Sequence, residues 1–390
     1  MEEPSISETR ETPRKANTQK DGKVRRGRRK PLKLEPSAGD GRRTATVTGL
    51  DVSEKHIQIC EIDVDDVVSE GRIATSDKKL REYFEGRAAR RIVIEMSSHT
   101  RWITELLRSF GHAVLVADPR RMKLVSGTLY KDDTLDAQTL AMLARDAPRL
   151  LKTVPLRDIE HQRLLTMVRA RATAVEGRTR IINAIRGMLK PYGYRVPRSS
   201  HSVLATYLWS EVEAPILRLI EPLMVLLETF DGQIARYDQE AERILPQLPP
   251  NARQLREIPG VGPLTVLYFV AIIGDPNRFA KSRDVGPYLG LCRRRDDSGE
   301  YQSELGITKA GDRYMRALLA NCVSHIMGPF GKDSDLRDWG LKKLGGATRV
   351  EKKKMKVALA RKLAVLLLTL WKSGKPYDRH HQKRGERKAA

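Results

Sequence analysis

ATVTGLDVSEKHIQICEIDVDDVVSEGRIAT, residues Ala45–Thr75, decides the fold. It contains three short β-rich runs, TVTGLDV, HIQICEID and VVSEGRIAT. A helix-like stretch follows, DKKLREYFEGRAA, then strand RIVIEMS (Arg91–Ser97), helix HTRWITELLRSFG and strand HAVLVAD. A helical stretch, KDDTLDAQTLAMLARDA (Lys131–Ala147), closes the series. The order β-β-β-α-β-α-β-α predicts an antiparallel meander leading into parallel βα units, a mixed sheet with helices on its faces. In such sheets, sites lie outside the carboxyl ends of the strands.

Four acidic residues fall at those places. Asp51 ends the first apolar run, Glu95 ends RIVIEM, and Asp133 and Asp136 stand three apart on one helix face. Any one of them could be an ordinary cap or helix-dipole partner. As a set they converge at neutral pH only if something offsets their repulsion, and a pair of hard divalent cations does so best. Oxygen-only ligands favour Mg²⁺ or Mn²⁺, ions that serve in-line displacement at phosphodiesters.

The chain has 390 residues, 40% hydrophobic content and a formal net charge of +23. Its length allows two or three domains, and the basic excess implies a polyanionic partner, with nucleic acid the usual one. An anionic membrane surface is the competitor. The longest apolar run, Leu363–Leu370, is too short to span a bilayer, and the polar N-terminus has no apolar signal core. Cys60, Cys292 and Cys322 are scattered and odd in number, which predicts buried free thiols in a reducing cytoplasm.

Residues 1–43 are poor in apolar groups and read as a disordered basic tail containing KVRRGRRK (Lys23–Lys30). Residues 44–152 form the α/β domain. Residues 153–248 read as two long helices broken at KPYGYRVP, an antiparallel coiled-coil arm. Arg163, Arg169, Arg171, Arg178, Arg180 and Arg186 decorate its first helix, either as a solvated face or as a nucleic-acid contact. Residues 249–375 form a mostly helical C-terminal domain, so the fold class is α/β plus α, and a basic tail occupies 376–390. LREIPGVGPLTVLYFVAIIG (Leu255–Gly274) has a helix-hairpin-helix pattern. Its Gly260 and Gly262 would let backbone N–H groups approach a phosphate. Phe279–Gly290 reads as a short helix. A polar loop, RRRDDSGEYQSELG, comes next, and then a helix opening near Gly311.

The arrangement over about residues 44–150 resembles the RNase H-like nuclease fold in its RuvC-type form. The whole chain resembles the DEDD transposases of the insertion sequence one-ten family. The motifs that carry the likeness are GLDVS (Gly49–Ser53), IEMSS (Ile94–Ser98), KDDTLDA (Lys131–Ala137), IPGVGPLT (Ile258–Thr265), Gly290-Leu291, DSG (Asp297–Gly299) and ITKAGDRYMR (Ile307–Arg316). The resemblance implies that Asp51, Glu95, Asp133 and Asp136 bind Mg²⁺ (or Mn²⁺) and that Ser298 is a nucleophile. It further implies a homodimer or homotetramer whose composite sites join one chain's acids to another chain's serine. A structured non-coding guide RNA would select donor and target DNA. The position before Asp133 departs from the family pattern, leaving Asp132 as a rival ligand.

A serine needs help to attack a phosphodiester, because its hydroxyl must lose a proton and its target repels anions. Carboxylate-held metal ions supply both kinds of help. Arg293, Arg294, Arg295, Lys309, Arg313 and Arg316 would clamp phosphates around the loop. Three functions from different classes follow. A DNA strand-exchange enzyme would form a serine–DNA bond. A RuvC-like nuclease would activate water and not need Ser298, with Ser303 in the same loop as the control. A nucleic-acid-binding scaffold would use neither serine nor acids.

Overall fold

Strand β1 (Val47–Val52) is buried from Val47 to Leu50, and Asp51 and Val52 emerge half-exposed at its end. The computed structural model describes residues 46–381, apart from 64–66, 119–132, 152, 198–200, 295–296, 299–300, 303–304 and 345–347. The basic cluster Lys23–Lys30, Asp132, Arg295 and Ser303 therefore lie outside the described residues. The chain divides into two units, Met1–Pro155 and Leu156–Ala390.

In the first unit the sheet order is β3-β2-β1-β4-β5. β2 (His56–Ile62) pairs antiparallel with β1 and with β3 (Val67–Ala74), which is the expected meander. The β1–β2 turn is closed by Ser53, whose backbone N–H and hydroxyl both donate to the His56 carbonyl. β4 (Arg91–Glu95) runs parallel to β1, and β5 (Ala113–Ala117) parallel to β4. Parallel neighbours need crossovers, and two helices supply them. These are α1 (Asp77–Phe84), capped by the Ser76 hydroxyl, and α2 (Thr100–Ser109).

Strand alternation places Val47, Gly49, Asp51, Val93 and Glu95 on one face of the sheet. That face is covered by α3 (Asp133–Asp146). Leu140, Leu143 and Ala144 pack with Val47, Val93 and Ala117, while Ala137 and Ala141 pack with Cys60 and Ile62. Burial, then the nearby Glu70 and Glu61 carboxylates, pushes the Cys60 thiol up to about 12, so it stays protonated and inert.

Gly49 is the contact point between β1 and α3. A Cβ there would overlap the Ala137 carbonyl oxygen and fall 2.7 Å from the Ala141 nitrogen. Both obstacles are backbone, so the helix would have to lift from the strand. Gly49→Val is therefore expected to destabilise this unit by about 3 kcal/mol or more. Gly71→Val, in β3 with nothing within 4 Å of its Cβ position, should cost little. Thermal denaturation of the two variants checks this; equal melting temperatures would mean that α3 does not rest on Gly49.

The second unit begins with α4 (Ile159–Leu189), capped by Asp158. After a turn at Lys190–Tyr192 come α5 (His201–Glu211) and α6 (Ala214–Ile244), and α6 packs along α4 as the long pair expected of an arm. The pair has apolar contacts at both ends. Leu164, Leu165, Val168, Ala241 and Leu245 join the main core, while Ile185, Leu189, Leu204, Leu208 and Leu217 belong to a separate distal cluster. Between these ends Arg171 pairs with Asp238 and Arg178 with Asp231, both at 2.6 Å.

The arm arginines are thus engaged within the chain. Arg163 pairs with Glu160 and Arg180 with Glu176 along the same helix. Arg186 donates to the Pro197 carbonyl, and Arg169 to the Tyr268 hydroxyl. The sequence displays these cations, but only the returning helix supplies the partners of Arg171 and Arg178.

Buried α7 (Pro263–Ile273) lies in the main core, with every residue from Thr265 to Ile273 inside. A helix that is apolar all round is a core helix. α8 (Arg313–Met327), α9 (Asp335–Lys342) and α10 (Arg349–Ser373) complete the unit. Ahead of α7 the expected first helix of the hairpin is only a turn of α-helix at Pro250–Arg253 and a 3₁₀ turn at Gln254–Glu257. Prolines 249 and 250 delay its start, and the extended backbone of Ile258 ends it. The short helix expected within Phe279–Gly290 is likewise a 3₁₀ turn at Ser282–Asp284 and one α-turn at Val285–Tyr288. No helix among the described residues is long and apolar enough to cross a membrane.

Candidate active site

The last paired residues of β1 and β4 are Leu50 and Ile94, so Asp51 and Glu95 stand side by side one step further on. Adjacent strands lie about 4.8 Å apart, well within the reach of two side chains that share an ion. Both residues are half-buried. α3 runs antiparallel to β1: Ala137 lies over Gly49, while Ala144 lies near the start of β4, where its carbonyl accepts from Arg91 Nη1. Moving toward the N-terminus of α3 therefore leads toward Asp51. Half-buried Asp136 immediately precedes Ala137, and the backbone of Asp133 opens the helix one turn earlier. Three elements thus bring the four acidic positions to one corner of the sheet, where the positive end of the α3 dipole eases their crowding.

The turn after Glu95 is held by hydroxyls. Thr100 Oγ1 donates to the Glu95 carbonyl at 2.7 Å and accepts from the Ser97 N–H, also at 2.7 Å. Ser97 Oγ in turn accepts from the His99 N–H. Trp102 Nε1–H donates to His99 Nδ1, which leaves the proton on Nε2 to reach Glu54 at 3.2 Å. Glu95 therefore sits at the mouth of a braced turn instead of a loose loop end. The residues this adds beside the candidate site are Ser97 and Thr100. Their signal was present in the sequence as Ser and Thr clustered just before a helical run.

Carboxylates of this kind, with no sulfur or imidazole in the set, fit a hard divalent cation. Among the described residues, no three His, Cys, Asp or Glu side chains are already drawn into a cage that could hold one. The Asp133 side chain lies outside the described residues. Asp51, Glu95 and Asp136 would be the described members of any ligand set.

In the second unit the polar loop is a two-stranded ribbon. Arg294 N–H donates to the Gly306 carbonyl and Thr308 N–H to the Cys292 carbonyl, and β6 (Asp297–Ser298) pairs with β7 (Tyr301–Gln302) beyond them. Ser298 pairs with Tyr301 in register. The root is a close crossing of two glycines. A Cβ on Gly290, which has φ +69°, would fall 2.6 Å from the Ala310 nitrogen; one on Gly311 would fall 2.6 Å from the Leu289 Cα. Arg316 Nη1 braces the crossing by donating to the Gly311 carbonyl at 2.6 Å and the Leu289 carbonyl at 3.2 Å.

Of the basic residues expected around this loop, Arg293, Arg294, Lys309 and Arg313 are exposed. Arg316 instead turns inward to backbone carbonyls. Gly262 caps α7 with open space at its Cβ position, whereas the Cβ position of Gly260 lies 3.1 Å from the Cys322 carbonyl of α8. The close approach at Gly260 is thus to the chain's own helix. Asp312, unremarked in the sequence, caps α8 and also accepts from the Tyr268 hydroxyl at 3.1 Å. The hydrogen bond to Tyr268, with Asp312 close by, raises the pKa of Arg169 and keeps it charged. An Asp directly before a helical run was the available signal. Cys60 and Cys322 are buried, as expected of free thiols, and Cys292 is half-buried.

Two family models match the chain. One describes a DEDD transposase of the IS110 type and covers residues 48–193; the other, "Transposase IS116/IS110/IS902 family", covers 252–334. A "Probable family 20 transposase" of Pseudomonas aeruginosa is 27% identical over 83% of this chain and 95% of its own length. The "Transposase for insertion sequence element IS1111A" of Coxiella burnetii is 27% identical over 83% of this chain and 89% of its own. The "Transposase for insertion sequence element IS1328" of Yersinia enterocolitica is 27% identical over 70% and 81%.

Proposed function

The chain belongs to the IS110 family of DEDD transposases, enzymes that cut and recombine DNA, and from that premise we propose that it exchanges the strands of an insertion sequence through a serine–DNA bond. The observation that carries the proposal is the meeting of β1, β4 and α3 at one sheet corner, with Asp51 beside Glu95. Asp51, Glu95, Asp133 and Asp136 would hold Mg²⁺ or Mn²⁺. Once bound, the ions would lower the pKa of a hydroxyl and neutralise phosphoryl charge.

Ser298 Oγ attacks the phosphorus of one phosphodiester and forms an O–P bond. One P–O bond to deoxyribose breaks, and the freed deoxyribose oxygen takes up a proton in place of the one the serine gives up. The hydroxyl of another strand then attacks the phosphoserine, releasing Ser298 and restoring a phosphodiester. The bond energy is kept throughout, so no nucleotide cofactor is needed. Exposed Arg293, Arg294, Lys309 and Arg313 would hold flanking phosphates. Arg316 keeps the ribbon root in place. A homodimer or homotetramer would join one chain's acids to another's ribbon, and a structured RNA would choose donor and target DNA in the cytoplasm.

The test is recombination between two supercoiled plasmids by purified protein and the RNA transcribed from the DNA beside its gene. Joined products are expected only with both RNA and Mg²⁺, and EDTA should stop them. Products formed without RNA would remove the guide. Linear DNA with free ends in place of joined products would replace strand exchange by hydrolysis.

A further inference from the structure

Phe330 is 85% exposed, the highest value among the exposed large hydrophobic side chains described. It does not hang from a loose end. Gly331 N–H donates to the Gly328 carbonyl at 3.1 Å, so Pro329 and Phe330 are the two central residues of a β-turn. Arg337 Nη1 braces that turn from beneath, donating to the carbonyls of Ile326 and of Gly328. A braced turn that holds an aromatic ring in water forgoes burial the ring could otherwise gain.

Gly328 also lines a groove of about 290 Å³ between α8 and α10. Its floor is apolar, formed by Val323, Met327, Leu344 and Met355, and its rim carries Lys352 and Lys356. These lysines run against local preference. They stand i, i+4 on one helix, where like charges repel, and Lys352 lies close to the helix N-terminus, which disfavours cations. The one acid of that turn, Glu351, is engaged in the capping box with Thr348. Lys356 has a neutral partner, the Ser324 hydroxyl at 3.4 Å. A local conflict of this kind is resolved by an outside polyanion.

We propose that the Phe330 turn and the α8–α10 groove bind an unpaired nucleotide, its base on the Phe330 ring and the apolar floor, its flanking phosphates on Lys352 and Lys356. Phe330 does not line the groove itself but stands in the turn that begins at groove-lining Gly328. An aromatic beside an apolar floor and a basic rim suits single-stranded nucleic acid, because every base has a face to stack and every linkage a charge. A duplex offers the charge but no free base face. The site rests on the reading of the chain as a nucleic-acid enzyme, yet it lies apart from the ribbon and involves none of the residues assigned to chemistry. An unpaired strand is what a recombinase exposes when duplexes are opened, and a guide RNA supplies one too.

The test measures fluorescence anisotropy of the full chain with labelled oligothymidine, oligouridine, a duplex of equal length, and an abasic deoxyribose-phosphate strand. Phe330→Ala is expected to weaken oligothymidine by about 5- to 100-fold, the scale of one stacked base. Duplex binding and the melting temperature should stay unchanged, and Phe330→Trp should bind like the parent. Substituting Lys352→Gln and Lys356→Gln together should reduce the salt slope of strand binding by about 1.4. Tighter oligouridine binding would assign the site to RNA, tighter oligothymidine binding to DNA, and either supports it. Indifference of oligothymidine to Phe330→Ala, or an abasic strand bound as tightly as oligothymidine, would overturn the site and leave a plain basic patch suited to an acidic partner. A parent chain that bound neither strand nor duplex would overturn the nucleic-acid reading along with it.

Discussion

Replacing Ser298 by alanine is expected to eliminate the covalent protein–DNA adduct and to reduce strand exchange by at least about 10³-fold, the scale on which loss of a nucleophile registers. With Ser298 as the nucleophile, phosphodiester energy is held between the two exchanges in a protein–DNA bond, and a denaturing gel would trap it. Ser298 lies in β6, in register with Tyr301 of β7. Ser298→Ala should melt at the parent temperature. Ser303→Ala, in the same loop, should keep both adduct and exchange. Full exchange by the Ser298→Ala protein would falsify the assignment. A nuclease using water would ignore both substitutions and leave free DNA ends.

Asp51→Asn is the second large effect. Asparagine keeps the size of the side chain and one acceptor oxygen but removes the charge that a hard cation requires. Strand exchange should disappear, and Mn²⁺ affinity by calorimetry should fall by at least about 100-fold, a floor set by what loss of a mere supporting contact can cost. In EDTA the variant should melt at or slightly above the parent temperature, because one of several crowded carboxylates has gone. Added Mg²⁺ should raise the melting temperature of the parent and not of the variant. A parent chain indifferent to both ions, or an Asp51→Asn chain that binds Mn²⁺ normally, would move the metal elsewhere.

Much of this geometry is legible before any coordinates. The period-two runs, the βα alternation after Ala74 and the acids at strand ends follow from side-chain alternation and from crossover rules, which are local. The ribbon carrying Ser298 was legible only as a polar loop, because its pairing depends on Gly306–Thr308 returning to Cys292–Arg294. Gly49 stood in a recognised motif, but its purpose emerges only when α3 arrives from more than eighty residues downstream. The arm arginines read as display because their aspartates, Asp231 and Asp238, lie on a helix whose register no single stretch encodes. Arg316 shows the same limit: a cation at the start of a helix gives no sign that two carbonyls of the ribbon root will claim it.

The crossing of Gly290 and Gly311 bears on how copies of such an element die. Each glycine codon is a single base change from an alanine codon, and at either position the added methyl group would push against backbone. A copy altered there keeps all four acids and its serine, and its open reading frame stays intact. It would look alive to any census that counts the proposed catalytic residues, while the ribbon that would deliver the serine no longer seats on its root. Reading the two glycines alongside the proposed catalytic residues would separate such silent copies from mobile elements.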